Sequence, residues 1–120
     1  MILLITLESD PHTDLVEKHL HDIGVDYFRF NTDALSRDFA VTYGIRSSEP
    51  FLEIRGPDGT RVDGRSVSRV WYRRTRSRPP ISRTQNPHLF EYSLEEYTGF
   101  FKNMWVALEH ARWMDNPGTV

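Results

Sequence analysis

The opening of the chain limits the possible folds more than any other feature. Residues 2–7 form an apolar run without alternation, which is typical of a strand that is covered on both faces. Asp10 and Pro11 then supply a helix N-cap and a first-turn proline, so we predict a helix over residues 11–23. The aromatic segment 25–31 favours a second strand. Strand, helix and strand in this order predict a parallel pair with a right-handed crossover, the βαβ unit.

The predicted helix has a mostly apolar face. Five of its residues recur at the spacing that places side chains on one face of a helix. They are Leu15, Val16, His19, Leu20 and Ile23.

The middle of the chain has a different pattern. Residues 39–45 and 51–55 are short strand candidates, and the glycines and proline of residues 56–59 suit a turn. We therefore predict an antiparallel meander or hairpin here. A further strand is expected at residues 67–73, followed by a proline-rich loop over residues 75–87.

A long amphipathic helix is predicted over residues 88–113, because apolar residues step by three and four there. Trp113 would then lie at the helix end with little of the chain to pack against, which suggests a missing partner. Taken together, the expected fold is α/β. It has a mixed sheet with a βαβ start, an antiparallel middle and a long C-terminal helix, in a single domain over residues 1–120.

Composition excludes several classes of protein. The 120 residues contain no cysteine, so a disulfide framework, a thiolate zinc site and a cysteine nucleophile are excluded. The apolar start is too short for a signal peptide or a membrane span. We expect a cytoplasmic protein without a membrane partner.

The loop after the first strand does not fit a nucleotide. Residues 7–11 contain no glycine and include Glu8 and Asp10, so neither a dinucleotide fingerprint nor a phosphate-binding loop is present. Asp33 is interpreted as a turn or cap residue. The histidines of the first helix do not converge on one metal and are expected to be solvated. We expect no cofactor or metal site in this chain.

Arginines are concentrated in one segment. Residues 61–83 hold eight arginines and one aspartate, a local charge of +7 in a chain whose net charge is −2. Arg73, Arg74, Arg76 and Arg78 follow a predicted strand, and guanidinium groups bind carboxylates or phosphates through paired hydrogen bonds. Three interpretations remain open: a solvated loop, anchors for an acidic peptide or neighbouring domain, and a nucleic-acid patch. The negative net charge and the scarcity of lysine disfavour nucleic acid.

Several short motifs occur in an order that resembles a known family. They are MILLITLESD at the start, FRFNTD at residues 28–33, VWYRR at residues 70–74, a helix bearing Glu95 and Glu96, and Trp113 followed by Asn116-Pro117. Together they resemble the N-terminal pre-ATP-grasp domain of the microviridin-type (graspetide) ATP-grasp peptide ligases, of which MvdD is an example. The resemblance extends over essentially all 120 residues.

The resemblance implies a function for the domain. Such a Rossmann-like domain precedes central and C-terminal ATP-grasp lobes, which bind ATP and magnesium. These ligases activate an Asp or Glu side chain of a ribosomally made precursor peptide and join it to a Ser or Thr hydroxyl or a Lys amine, which gives lactones or lactams. Residues 1–120 do not include these lobes. We therefore expect a structural and substrate-positioning domain that is not catalytic alone, with the lobes and the precursor peptide as partners.

Candidate binding residues follow from the same resemblance. Arg73 and Arg74 match the paired arginines of the family. With the nearby Arg76, they are our candidates for binding a carboxylate-bearing peptide or the adjoining lobe. Two alternatives remain: a stand-alone module that binds an acidic peptide or nucleic acid through residues 61–83, and a protein that forms homodimers through the long helix.

Overall fold

Two sheets and two α-helices build the fold in a computed structural model that describes residues 1–35, 37–73 and 87–114. The elements are β1 (Ile2–Thr6), α1 (Pro11–Asp22), β2 (Tyr27–Asn31), β3 (Ala40–Arg46), β4 (Glu49–Arg55), β5 (Arg61–Asp63), β6 (Arg69–Tyr72), α2 (Pro87–Ala107) and β7 (Arg112–Met114). Short 3-10 turns at Thr32–Ala34 and Gly64–Ser66 follow β2 and β5.

The first sheet is parallel and has the strand order β2-β1-β6-β7. Its centre is β1, in which Leu3, Leu4 and Ile5 are no more than 1% exposed. Burial on both faces is the reason that this strand reads as a continuous apolar run. The predicted βαβ unit is confirmed, with α1 connecting β1 to its parallel neighbour β2.

The second sheet is antiparallel and has the order β3-β4-β5. A turn joins β4 to β5, in which the Gly56 amide donates to the Thr60 carbonyl and Gly59 has φ of +84°. The α/β class and the antiparallel middle are confirmed. We expected one mixed sheet, whereas the strands divide between two. The antiparallel strands reach the parallel sheet through apolar side chains rather than through backbone pairing.

One hydrophobic core joins both sheets to α2. Its fully buried side chains come from the parallel sheet, from the antiparallel sheet and from one face of the helix. They include Leu3, Ile5, Phe30 and Val70, then Leu52, Ile54 and Val62, and finally Met104, together with Leu108 just after the helix end.

The end of the chain differs from the prediction of a helix over residues 88–113. The helix α2 ends at Ala107, and the Ala111 amide donates to the Leu108 carbonyl in a tight turn. The Arg112 amide then donates to the Ser68 carbonyl, which starts β7 beside β6. The prediction was wrong here because a strand of three residues has no periodicity of its own and depends on a distant neighbour.

Trp113 has partners within the chain, contrary to our expectation. Its ring lies 5.6 Å from that of Trp105 and 6.2 Å from that of Tyr72, measured between centroids. Its indole nitrogen donates to the Leu108 carbonyl at 2.9 Å. The apolar surface of this segment therefore packs inside the fold.

Within the part of the chain that the structure describes, no helix is long and apolar enough to cross a membrane.

The buried side of α1 differs from the apolar face that the helical spacing defines. Thr13 is buried and Val16 and Leu20 are half-buried, whereas Leu15 and Ile23 are exposed. Ion pairs hold the acidic side chains of α1 against Arg29 of β2, which lies 2.5 Å from Asp14 and 3.0 Å from Glu17.

Candidate functional site

A cleft lies where the parallel strands β1 and β6 end and α1 begins. Its volume is about 430 Å³, and it is lined by Thr6, Leu7, Ser9, Asp10, Pro11, His12 and Arg73. In open α/β sheets, ligands bind in the crevice outside the carboxyl ends of the strands. The cleft is therefore in the place where this architecture offers a binding site.

Asp10 organises the floor of this cleft. As the N-cap of α1, its Oδ1 accepts hydrogen bonds from the amides of His12 and Thr13 at 3.1 and 3.3 Å. Its Oδ2 accepts from the hydroxyls of Thr6 at 2.5 Å and Thr13 at 2.7 Å, and from Nε of Arg73 at 3.2 Å. Both oxygens of a nearly buried carboxylate are thus satisfied.

These contacts determine the charge of Asp10. Burial alone raises the pKa of the carboxyl group, because it disfavours the charged form. Hydrogen bonds from the Thr6 and Thr13 side chains and from the Thr13 amide, together with the positive charge of Arg73, outweigh burial and hold the pKa of Asp10 well below its usual range. Asp10 is therefore a fixed anion that orients its neighbours, and it does not suit a proton-transfer role at neutral pH.

Arg73 is the neighbour that this anion orients. Its backbone amide donates to the Ile5 carbonyl at 3.0 Å, which extends the pairing of β6 with β1 by one residue. Its guanidinium carbon lies 5.8 Å from the centre of the Trp71 ring, within the range of a cation–π contact. The side chain is 39% exposed. The terminal nitrogens make no hydrogen bond to another residue in the described ranges, so they can receive the oxygens of a carboxylate or phosphate.

The loop between β1 and α1 is braced from two directions. The Glu8 amide donates to Oδ1 of Asp33 at 2.9 Å, and Asp33 itself lies in the 3-10 turn after β2, in agreement with its interpretation as a turn residue. Arg29 donates to the carbonyls of Leu7 and Glu8 at 3.0 and 3.2 Å. Arg37 forms an ion pair with the Glu8 side chain at 2.7 Å. Contacts to one amide, two carbonyls and one side chain therefore hold the loop in place.

Of the three arginines that the sequence suggested, the structure places one. Arg73 lies in the cleft, and Arg74 and Arg76 lie outside the described residues. Asp10 was predicted only as a helix cap, and its contact with Arg73 spans 63 positions in the sequence. A signal for the contact was present, because both residues follow strands that the fold class places side by side.

Metal binding finds no support in the described ranges, where no group of three or more His, Cys, Asp and Glu side chains converges. His12, His19 and His21 are exposed on α1, as predicted.

Comparison with known proteins places the chain in a family. Residues 1–120 match the family described as the MvdD pre-ATP grasp domain. No curated protein matches the chain.

Solved structures agree with this family. The macrocyclase MdnB of Microcystis aeruginosa MRC is 25% identical with a TM-score of 0.80, covering 98% of this chain and 38% of MdnB. The macrocyclase MdnC of the same organism, bound to its precursor peptide MdnA, is 25% identical with a TM-score of 0.81, covering 100% of this chain and 39% of MdnC.

A third structure extends the likeness in fold. It is an ATP-grasp ligase of Chryseobacterium gregarium associated with ribosomally made, post-translationally modified peptides (RiPPs), in complex with ADP and a leader and core peptide. The match has 18% identity and a TM-score of 0.78, covering 98% of this chain and 35% of that protein. The chain thus spans less than two-fifths of the macrocyclases MdnB and MdnC. With its match over residues 1–120 and its shared fold, the chain belongs to the MvdD pre-ATP-grasp domain family.

Proposed function

We propose that this chain is the N-terminal domain of an ATP-grasp ligase that modifies a ribosomally made precursor peptide. The match of residues 1–120 to the MvdD pre-ATP grasp domain carries the proposal. The fold shared with MdnB and with peptide-bound MdnC supports it. In this function the domain braces the ATP-grasp lobes and helps to position the peptide.

The bond-forming chemistry belongs to the lobes in this proposal. A peptide carboxylate is activated and then joined to a Ser or Thr hydroxyl or a Lys amine. The peptide therefore loses one water molecule for each lactone or lactam that forms. ATP and magnesium would bind in the lobes. The loop after β1 does not suit the phosphates of ATP, because Glu8 and Asp10 place two carboxylates there and the loop lacks glycine.

Arg73 is the residue through which this domain would bind acidic groups. Its Nε is held by Asp10, which leaves the two terminal nitrogens to form paired hydrogen bonds with a carboxylate. A carboxylate-rich peptide or an acidic side chain of the adjoining lobe fits this arrangement. Arg74 and Arg76 follow Arg73 in the sequence and stay candidates for the same role.

The proposal is tested with the native polypeptide that carries residues 1–120, purified from its own cells with any bound subunits. It is incubated with the small-peptide fraction of those cells, magnesium and ATP, and the intact peptide masses are recorded. We expect ATP-dependent loss of one water per cross-link. If no peptide loses water with ATP while the peptides remain intact, the proposed function is wrong.

The role of Arg73 is tested in the same assay. We expect Arg73→Ala to raise the KM for the peptide by about tenfold, the equivalent of one strong charge-assisted contact. Arg73→Lys should recover only part of this loss, because an ammonium group cannot replace a paired guanidinium contact. Arg69→Ala is the matched control, since Arg69 is exposed on the same strand and outside the cleft. Equal KM values for all three variants and the unchanged protein would show that Arg73 does not contribute to peptide binding.

A further inference from the structure

A second cleft lies on a different part of the domain, between β3 and α2. Its volume is about 650 Å³. Apolar side chains form its floor, among them Phe39 and Val41 from the strand side and Phe100 from the helix. This groove, which we call the β3–α2 groove, shares no residue with the cleft at Arg73.

One wall of the groove is an edge strand. In the order β3-β4-β5, β3 is the outermost strand. Among the described residues, no backbone hydrogen bond engages its outer side. Such an edge is a template on which another extended chain can pair.

The side chains of β3 are arranged for this pairing. Val41 and Tyr43 are half-buried on the groove side, and Thr42 between them is exposed. Tyr43 is fixed in place, because its ring packs edge-on against Phe100 at 5.3 Å and its hydroxyl accepts from Asn103 at 3.3 Å. These contacts hold Tyr43 on the groove side of β3 before a ligand binds, so this side chain loses little freedom on binding.

The opposite wall is acidic. Glu95 and Glu96 of α2 line the groove and are exposed. Within residues 1–35, 37–73 and 87–114, neither carboxylate has an ion-pair partner. An apolar floor beside two carboxylates complements an apolar side chain next to a lysine or arginine.

Gly99 adds an observation that the fold does not account for. It lies in the middle of α2 and lines the groove. A Cβ atom built at this position would meet nothing within 4 Å, so packing inside the described chain does not require glycine there. Because glycine has no side chain, the helix surface is open at this position and another backbone can approach it closely.

We propose that the β3–α2 groove binds an extended peptide in trans, which adds as a fourth strand to the edge of β3. The peptide places an apolar side chain on the floor and a neighbouring lysine or arginine against Glu95 and Glu96. The volume of about 650 Å³ suits a few side chains of a peptide rather than a domain face. Strand addition supplies affinity through the main chain and specificity through alternate side chains. This inference does not depend on the proposed function or on Arg73.

The experiment uses a fluorescein-labelled probe peptide, Gly-Lys-Leu-Lys-Phe-Lys-Gly, and the purified full chain. Fluorescence anisotropy gives the Kd, and hydrogen exchange of the β3 amides reports strand addition. We expect saturable binding together with slower exchange in Ala40–Arg46. A twin probe with glutamate in place of lysine should bind at least about tenfold more weakly.

Variants of the groove separate this site from general attraction between charges. Gly99→Leu fills the groove from a position that meets no other atom within 4 Å, so the protein should fold normally yet bind the probe at least about tenfold more weakly. The double variant Glu95→Gln with Glu96→Gln should lose the preference for the lysine probe. Glu109→Gln is the control, because Glu109 is an exposed carboxylate outside the groove.

Three results would each overturn the inference. The first is unchanged probe binding by Gly99→Leu. The second is binding without slower exchange in β3. The third is a dimer at the assay concentration in which β3 already exchanges slowly without the probe, because a second copy would then occupy the groove.

Discussion

At the scale of single residues, Asp10 links the fold to the candidate site. The same carboxylate caps α1 through Oδ1 and holds Nε of Arg73 through Oδ2. A residue with only the capping role would be replaceable by asparagine, since both residues cap helices about equally well. The second contact makes the carboxylate itself necessary.

Asp10→Asn is expected to destabilise the fold by about 2 kcal/mol at pH 7, because an amide nitrogen replaces the oxygen that accepts from Arg73, Thr6 and Thr13. Urea unfolding measures the change. Asp26→Asn is the control, at an exposed position before β2, and should change the free energy of unfolding by less than about 0.5 kcal/mol. Equal values for the two variants would contradict the role of Asp10.

The same variant has a defined pH dependence. Because the pKa of Asp10 is lowered in the folded protein, the ionised carboxylate contributes stability above its unfolded pKa of about 3.9. That contribution is lost as the pH falls through the folded pKa. The difference in unfolding free energy between the unchanged protein and Asp10→Asn should therefore be constant above about pH 5 and shrink below about pH 4. A difference that stays constant down to pH 2 would contradict this account.

At the scale of elements, Arg29 fastens α1 to β2 and to the loop that carries Asp10. Its side chain is 12% exposed and contacts Asp14, Glu17 and two loop carbonyls. We expect Arg29→Met to destabilise the fold by about 2 kcal/mol, because the carbonyls and carboxylates lose a charged donor. Arg55→Met, at an exposed arginine on β4, serves as the control in urea unfolding. If Arg29→Met lowers the free energy of unfolding no more than Arg55→Met does, α1 is held by its apolar contacts alone.

In helix α2, by contrast, one substitution is expected to stabilise the fold. Gly99→Ala should stabilise the protein by about 1 kcal/mol, because alanine favours the helix and its methyl group meets no other atom within 4 Å. Thermal or urea unfolding of the isolated chain measures this gain. Asn103→Ala is a contrasting variant, since it removes the hydrogen bond to Tyr43 and should give no comparable gain. Destabilisation by Gly99→Ala would mean that α2 lies closer to a neighbour than the structure has it.

At the scale of the whole molecule, the structural features that could be predicted from the sequence are those that local sequence patterns determine. The βαβ start was predictable because the buried strand, the Asp10-Pro11 cap and the aromatic strand each carry their own signal. The strand β7 was not, because its three residues carry no pattern of their own and depend on pairing with β6, more than 40 positions away in the sequence. Sequence analysis placed Arg73 at the end of a predicted strand, whereas its contact with Asp10 depends on the pairing of that strand with β1.

We propose that this domain works together with ATP-grasp lobes. The most direct test of this proposal is the native mass of the polypeptide that contains this sequence, purified from its own cells with any tightly bound subunit and identified by peptide sequencing. The chain spans 38% of MdnB and 39% of MdnC, so we expect a protein or complex more than twice as large as 14.1 kDa that contains ATP-grasp lobes. A monomer of 14.1 kDa without such a partner would contradict it.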